Sequence, residues 1–93
     1  MANPLKDTEI EELLEDLDGW SFGNDKISKS FKLSDFKEAL SFLVRVGFEA
    51  EDQGHHPEIF NVYNNVKISL QTHDAGDKVT QKDIDLAKAI ERI

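Results

Sequence analysis

The chain has no cysteine. Disulfides, thiolate metal centres and a cysteine nucleophile are therefore excluded, and the fold rests on packing alone. Positive charge is scarce as well: 11 Lys and Arg against 19 Asp and Glu leave a formal net charge of −8. A phosphate-rich ligand needs a basic face, so neither direct nucleic-acid binding nor attachment to an anionic membrane surface is expected. The longest uncharged run falls far short of the ~18 residues that suggest a membrane span. The opening Met1-Ala2-Asn3-Pro4-Leu5-Lys6-Asp7 lacks a basic stretch followed by an apolar one. No signal peptide is read there, and a cytoplasmic location is expected. Internal repeats and low-complexity tracts are missing too.

What remains is an ordinary globular composition, 39% hydrophobic and 32% charged. That is too apolar for a disordered chain and too polar for a membrane protein. Ninety-three residues make one domain, 1–93. A chain this size buries only roughly 60–65% of the surface its unfolded form exposes, so its core is modest and oligomerisation would supplement it.

Thr8, followed three residues later by Glu11, has the pattern of a capping box. Ile10, Leu13, Leu14 and Leu17 then recur at helical spacing until Gly19. Trp20-Ser21-Phe22 reads as a short strand and Gly23-Asn24-Asp25 as a turn. Ile27 to Leu33 alternates like a half-buried strand. Ser34 is a suitable N-cap for a long helix over residues 35–50, with Asp35 in its first turn. Phe36, Ala39, Leu40, Leu43, Val44, Gly47 and Phe48 form one broad stripe, expected to carry most of the core until Gly54 ends the helix. Ile59 to Tyr63 and Val66 to His73 are strands joined through Asn64-Asn65. In the second, the period of two puts His73 on the polar face. After the loop from Asp74 to Val79, Thr80 caps a last helix with Ile84, Ala87, Ile90 and Ile93 inside. The order is α-β-β-α-β-β-α. The expected fold is α+β, a four-stranded antiparallel sheet with three helices packed on one face.

All three histidines fall between residues 55 and 73. Antiparallel pairing brings the start of one hairpin strand beside the end of the other, so His55-His56 and His73 meet at one end. Histidine titrates near neutral pH, and two such groups facing one substrate can give and take a proton. Three histidines can also bind zinc, although adjacent histidines in an extended segment point apart and no helical ligand spacing is present. Surface or capping histidines are the third reading. Pro57 keeps His56 out of helix and so marks a helix-to-strand corner. Asp83 has the spacing to complete the Thr80 cap. Trp20, the only tryptophan, reads first as a core residue.

The run Glu51-Asp52-Gln53-Gly54-His55-His56-Pro57-Glu58-Ile59-Phe60-Asn61-Val62-Tyr63 resembles the signature of the pterin-4a-carbinolamine dehydratase family. So do Thr72-His73-Asp74-Ala75-Gly76 and Thr80-Gln81-Lys82-Asp83-Ile84-Asp85-Leu86-Ala87. The resemblance implies dehydration of a 4a-hydroxytetrahydropterin to a quinonoid dihydropterin, with neither metal nor organic cofactor. It implies His55 and His73 as the acid–base pair. His56, Trp20, Gln71 and Thr72 would contact substrate, and Glu51 and Asp83 would orient imidazoles, with Pro57 supporting the pair. It also implies homodimers or homotetramers. Some animal relatives double as dimerisation cofactors of a transcription factor, so a non-catalytic interaction module is the alternative. This chain departs from the family pattern in three places. The loop Gly76-Asp77-Lys78-Val79-Thr80 is one residue longer, Gly54 stands where some members carry an acid, and Gln71 stands where others carry serine.

Overall fold

Asp7–Leu14 forms helix α1, and Ser21–Gly23 and Lys26–Lys32 form strands β1 and β2. Phe36–Gln53 is the long helix α2; Glu58–Val62 and Asn65–Leu70 are strands β3 and β4; Gln81–Glu91 is helix α3. A 3₁₀ turn at His73–Ala75 follows β4. This is a computed structural model that describes residues 3–93. Met1 and Ala2, part of the expected domain and of the segment read for a leader, lie outside the described residues.

The four strands form one antiparallel sheet in the order β1-β2-β4-β3. Alternation along the two central strands decides what covers it. Ile27, Val66, Ile68 and Leu70 are buried, and they cluster with Ile10 from α1, Val46 and Ala50 from α2, and Ile84 and Ile90 from α3. All three helices therefore cover one face. The opposite face carries short polar side chains, with Ser28 Oγ and Ser69 Oγ 2.9 Å apart across the β2–β4 pair. Among the described residues, no helix is long and apolar enough to cross a membrane.

Several local expectations give way to stronger ones. Helix α1 starts before Thr8, and the Lys6 N–H donates to Glu9 Oε1 at 2.9 Å, so Glu9 rather than Thr8–Glu11 closes the first turn. Leu5 is pinned to α3's approach by its N–H to the Val79 carbonyl, and that fixes where the helix begins. Asp35, not Ser34, caps α2: its carboxylate accepts the Glu38 N–H at 2.8 Å, and an anion there also suits the helix dipole. Tyr63 rather than Asn65 enters the β3–β4 turn and takes a positive φ of 52°. Its strain is offset by side chains at each end of the turn. Asn61 Nδ2 donates to the Tyr63 and Asn65 carbonyls, and Asn64 Nδ2 donates to the Leu33 carbonyl.

The largest correction concerns α2. Ala39, Val46 and Ala50 pack inward, with Leu43 and Phe42 partly buried beside them. Phe36, Leu40, Val44 and Phe48, four residues apart in turn, stay outside, Phe48 at 69% exposure. The stripe is wider than one sheet can cover. Ile93 lies beyond the end of α3 and is partly exposed rather than inside. Ile68→Ala should lower unfolding free energy by about 2–5 kcal/mol in chemical denaturation, because Ile68 is fully buried in the central strand. Ser30→Ala, on the open face, should leave it unchanged.

Candidate active site

The end of α2 places the histidine pair. Gly54, at φ 61°, donates its N–H to the Ala50 and Glu51 carbonyls, and the His55 N–H also reaches the Ala50 carbonyl at 3.0 Å. This paired closure of the helix end fixes the backbone of His55, and a left-handed turn there favours glycine. Pro57 then holds His56 extended and leads the chain into β3. Glu58 pairs with Ser69, so the residues just before β3 and just after β4 share one end of the sheet. A groove of about 190 Å³ there is lined by His55, His56 and His73, with Gly54, Thr72, Asp74 and Lys82. A larger cavity of about 620 Å³ on the open sheet face contains no histidine. Groups that move protons near neutral pH are confined to the smaller groove.

The three imidazoles sit in different surroundings. His55 is buried, and its Nε2 meets Oδ1 of Asp83, which is fully buried at the start of α3. The other oxygen, Oδ2, accepts the Thr80 N–H and the Thr72 hydroxyl, each at 2.9 Å. Thr72's proton is thereby used, so its Oγ1 accepts from the Thr80 hydroxyl at 2.7 Å, and Thr80 Oγ1 accepts the Lys82 N–H. Asp83 thus completes the Thr80 cap and contacts His55 at once. A carboxylate only accepts, so His55 carries its proton on Nε2 and leaves Nδ1 as the acceptor nitrogen.

His56 and His73 are exposed. His56 Nε2 lies 2.8 Å from Glu51 Oε1. His73 opens the 3₁₀ turn because β4 ends at Leu70, short of the expected strand end, and its Nδ1 lies 2.6 Å from Asp77 Oδ1. The hydrogen bond to Asp77 and then that residue's charge raise the His73 pKa above 6.5; desolvation opposes them, and the charges of Glu58 and Asp74 add lesser raising effects. Asp77 escaped the reading of the sequence. Its position four residues after His73 was the available sign, hidden inside a segment read as loop.

Residues 3–93 match the model of the family described as pterin 4 alpha carbinolamine dehydratase. The chain belongs to this family. A protein of Opitutus terrae, provisionally named a pterin-4-alpha-carbinolamine dehydratase, is 46% identical across all of this chain and 96% of its own. One of Christiangramia forsetii, with the same provisional name, is 50% identical across all of this chain and 95% of its own. A crystal structure of a transcriptional coactivator/pterin dehydratase from Brucella melitensis superposes with a TM-score of 0.91 at 39% identity, covering 97% of each chain. The α+β fold is therefore that of a solved family member.

Two residues that the family resemblance assigned to substrate stand elsewhere. Trp20 is buried in the core, edge-on to Phe31, and its indole N–H donates to Glu91 Oε2 at 3.2 Å. It does not line the groove, which agrees with its first reading as a core residue. Gln71 donates to the Asp77 and Asp25 carbonyls and braces the loop behind His73. Thr72 does line the groove, but its hydroxyl is committed to Asp83. Among the described residues, no three His, Asp or Glu side chains converge as metal ligands.

Asp83→Ala removes a fully buried acceptor and strands the Thr80 N–H, the Thr72 hydroxyl and His55. Chemical denaturation should show a loss of about 2–4 kcal/mol. Glu51→Ala, which breaks an exposed pair, should unfold with the wild type.

Proposed function

We propose that this chain dehydrates a 4a-hydroxytetrahydropterin to a quinonoid dihydropterin and water, with His55 and His73 as the acid–base pair. The observation that carries the reading is one groove holding both a buried histidine fixed by a carboxylate and an exposed histidine paired with another. The C4a hydroxyl leaves only when protonated. One imidazole donates that proton, the C4a–O bond breaks as N5 forms a double bond to C4a, and the second imidazole takes the N5 proton. One water leaves, and the two histidines together finish with the protons they began with once solvent resets them. General acid–base groups contribute roughly 10²–10⁴-fold each.

The remaining residues support this pair. His56, steadied by Glu51, faces solvent at the mouth and positions substrate; Pro57 sets the corner that presents both histidines. Thr72 lines the groove as a support: its side chain keeps Asp83 in place, and its backbone N–H and carbonyl are bonded to Lys78 and Asp77. The reaction uses no cofactor in this account, and a cytoplasmic site of action fits a soluble pterin.

A specific observation favours a second property. The uncovered row Phe36, Leu40, Val44 and Phe48 is a contiguous apolar strip of a kind that marks an interface. We assign it to homodimer or homotetramer formation. It is also the surface on which a purely interacting module, as the coactivator name of the Brucella melitensis relative suggests for that protein, would rely.

Quinonoid formation from freshly generated 4a-hydroxytetrahydropterin, followed by absorbance, separates these. Wild type should exceed the uncatalysed rate, and His55→Ala and His73→Ala should each lose roughly 10²-fold or more of the excess. A folded wild type without any excess rate would leave the interaction module as the function. In sedimentation velocity, Val44→Glu with Phe48→Glu should reduce the wild-type oligomer to monomer while the groove keeps its rate.

A further inference from the structure

Asp77 is held in place more firmly than an exposed loop acid needs to be. Its φ is 61°, the left-handed region that non-glycine residues seldom occupy. The backbone around it is tied down on every side. The Asp77 N–H reaches the Thr72 carbonyl at 3.1 Å, the Gly76 N–H reaches the His73 carbonyl at 3.0 Å, and the Thr72 N–H reaches the Lys78 carbonyl at 2.8 Å. Gln71 Nε2 donates to the Asp77 carbonyl at 3.1 Å, and Lys78 Nζ anchors on Asp25 Oδ2 at 3.0 Å. This closed loop directs the Asp77 carboxylate back onto His73 Nδ1. Nδ1 carries its proton toward Asp77, and Nε2 is the nitrogen left without a protein partner among the described residues.

Thr72 connects this arrangement with the other histidine. Its hydroxyl holds the carboxylate of Asp83 behind His55, and its carbonyl holds the backbone of Asp77 behind His73. The two carboxylate–imidazole pairs share one residue but differ in exposure. His55, with Nε2–H on Asp83, presents the lone pair of Nδ1, and the buried carboxylate stabilises the imidazolium formed when a proton arrives. We propose that Asp77 is a positioning residue that holds His73 as the proton donor to the C4a hydroxyl, leaving His55 as the acceptor of the N5 proton. The assignment rests on the dehydratase reading above and makes the roles of the two histidines unequal.

The charges facing His73 agree. Asp77 and Asp74 come from its own turn and Glu58 from β3, where Lys26 of β2 partly neutralises it. Lys82 from α3 and His55 and His56 from the corner before β3 line the same groove. The acids prevail, with Asp77 first among them. A donor must be protonated, so activity is lost as pH rises through the His73 pKa, on the alkaline limb of the profile.

The test uses the full chain and Asp77→Asn, with Asp77→Glu as the conservative control. Histidine NMR should show His73 titrating above 6.5 in wild type, lower in Asp77→Asn and restored in Asp77→Glu. The dehydration rate above background should fall roughly tenfold in Asp77→Asn, with KM little changed. Its alkaline limb should move to lower pH by the same interval as the His73 titration. An active wild type whose limb stays fixed while His73 shifts would overturn the donor role alone. An unshifted His73 would overturn the positioning role. A wild type with no rate above background would overturn the dehydratase reading beneath both.

Discussion

The carboxylate of Asp83 is fully buried, and a buried charge persists only when its oxygens are paired. Here they are paired from three different structural elements, of which the corner after α2 is distant in sequence. His55 comes from the corner after α2, Thr72 from the end of β4, and the Thr80 N–H from the start of α3. Moving any one of them would leave a buried acceptor or donor without its partner. The same contacts that fix the relative positions of two helices and the sheet therefore fix the tautomer and direction of a histidine. On the proposed acid–base role of His55, stability and function are not separable at this point of the fold.

From that anchor the site acquires two dissimilar imidazoles. One is dry, backed by a carboxylate inside the core. The other is wet, backed by a carboxylate on a strained but well-tied loop. Acid and base roles follow from environments of this kind rather than from the residue type, which is the same in both cases. The acidic surface also fits this arrangement, since Glu58, Asp74 and Asp77 all favour the cationic form of His73. The rest of the molecule serves as a frame. A small core of aliphatic side chains holds three helices on one sheet face, and an apolar row on α2 is left exposed on the single chain.

Much of this was legible in the residues themselves. Period-two alternation in Val66, Ile68 and Leu70 marked the central strand, and hairpin pairing alone brought His55, His56 and His73 together. Asp83 showed its spacing from Thr80 but not its second contact, because His55 is 28 residues away and only the packing of α3 brings it near. Three features were not legible for identifiable reasons. Helical periodicity shows that the α2 stripe is apolar but not which part of it the sheet has room to cover. Ser34 and Asp35 are both good caps, and only backbone geometry decides between them. Asp77 bonds within a turn that carries no hydrophobic period, so pattern reading passed over it.

The central claim is that the groove binds a pterin against His55 and His73, with His55 protonated on Nε2. Nitrogen-15 NMR of histidine-labelled protein, titrated with a non-reacting dihydropterin, measures this most directly. At neutral pH the His55 ring should show its proton on Nε2, and saturating pterin should move the His55 Nδ1 and His73 Nε2 resonances together. Saturable binding that leaves both rings unmoved, or a His55 proton found on Nδ1, would contradict the account.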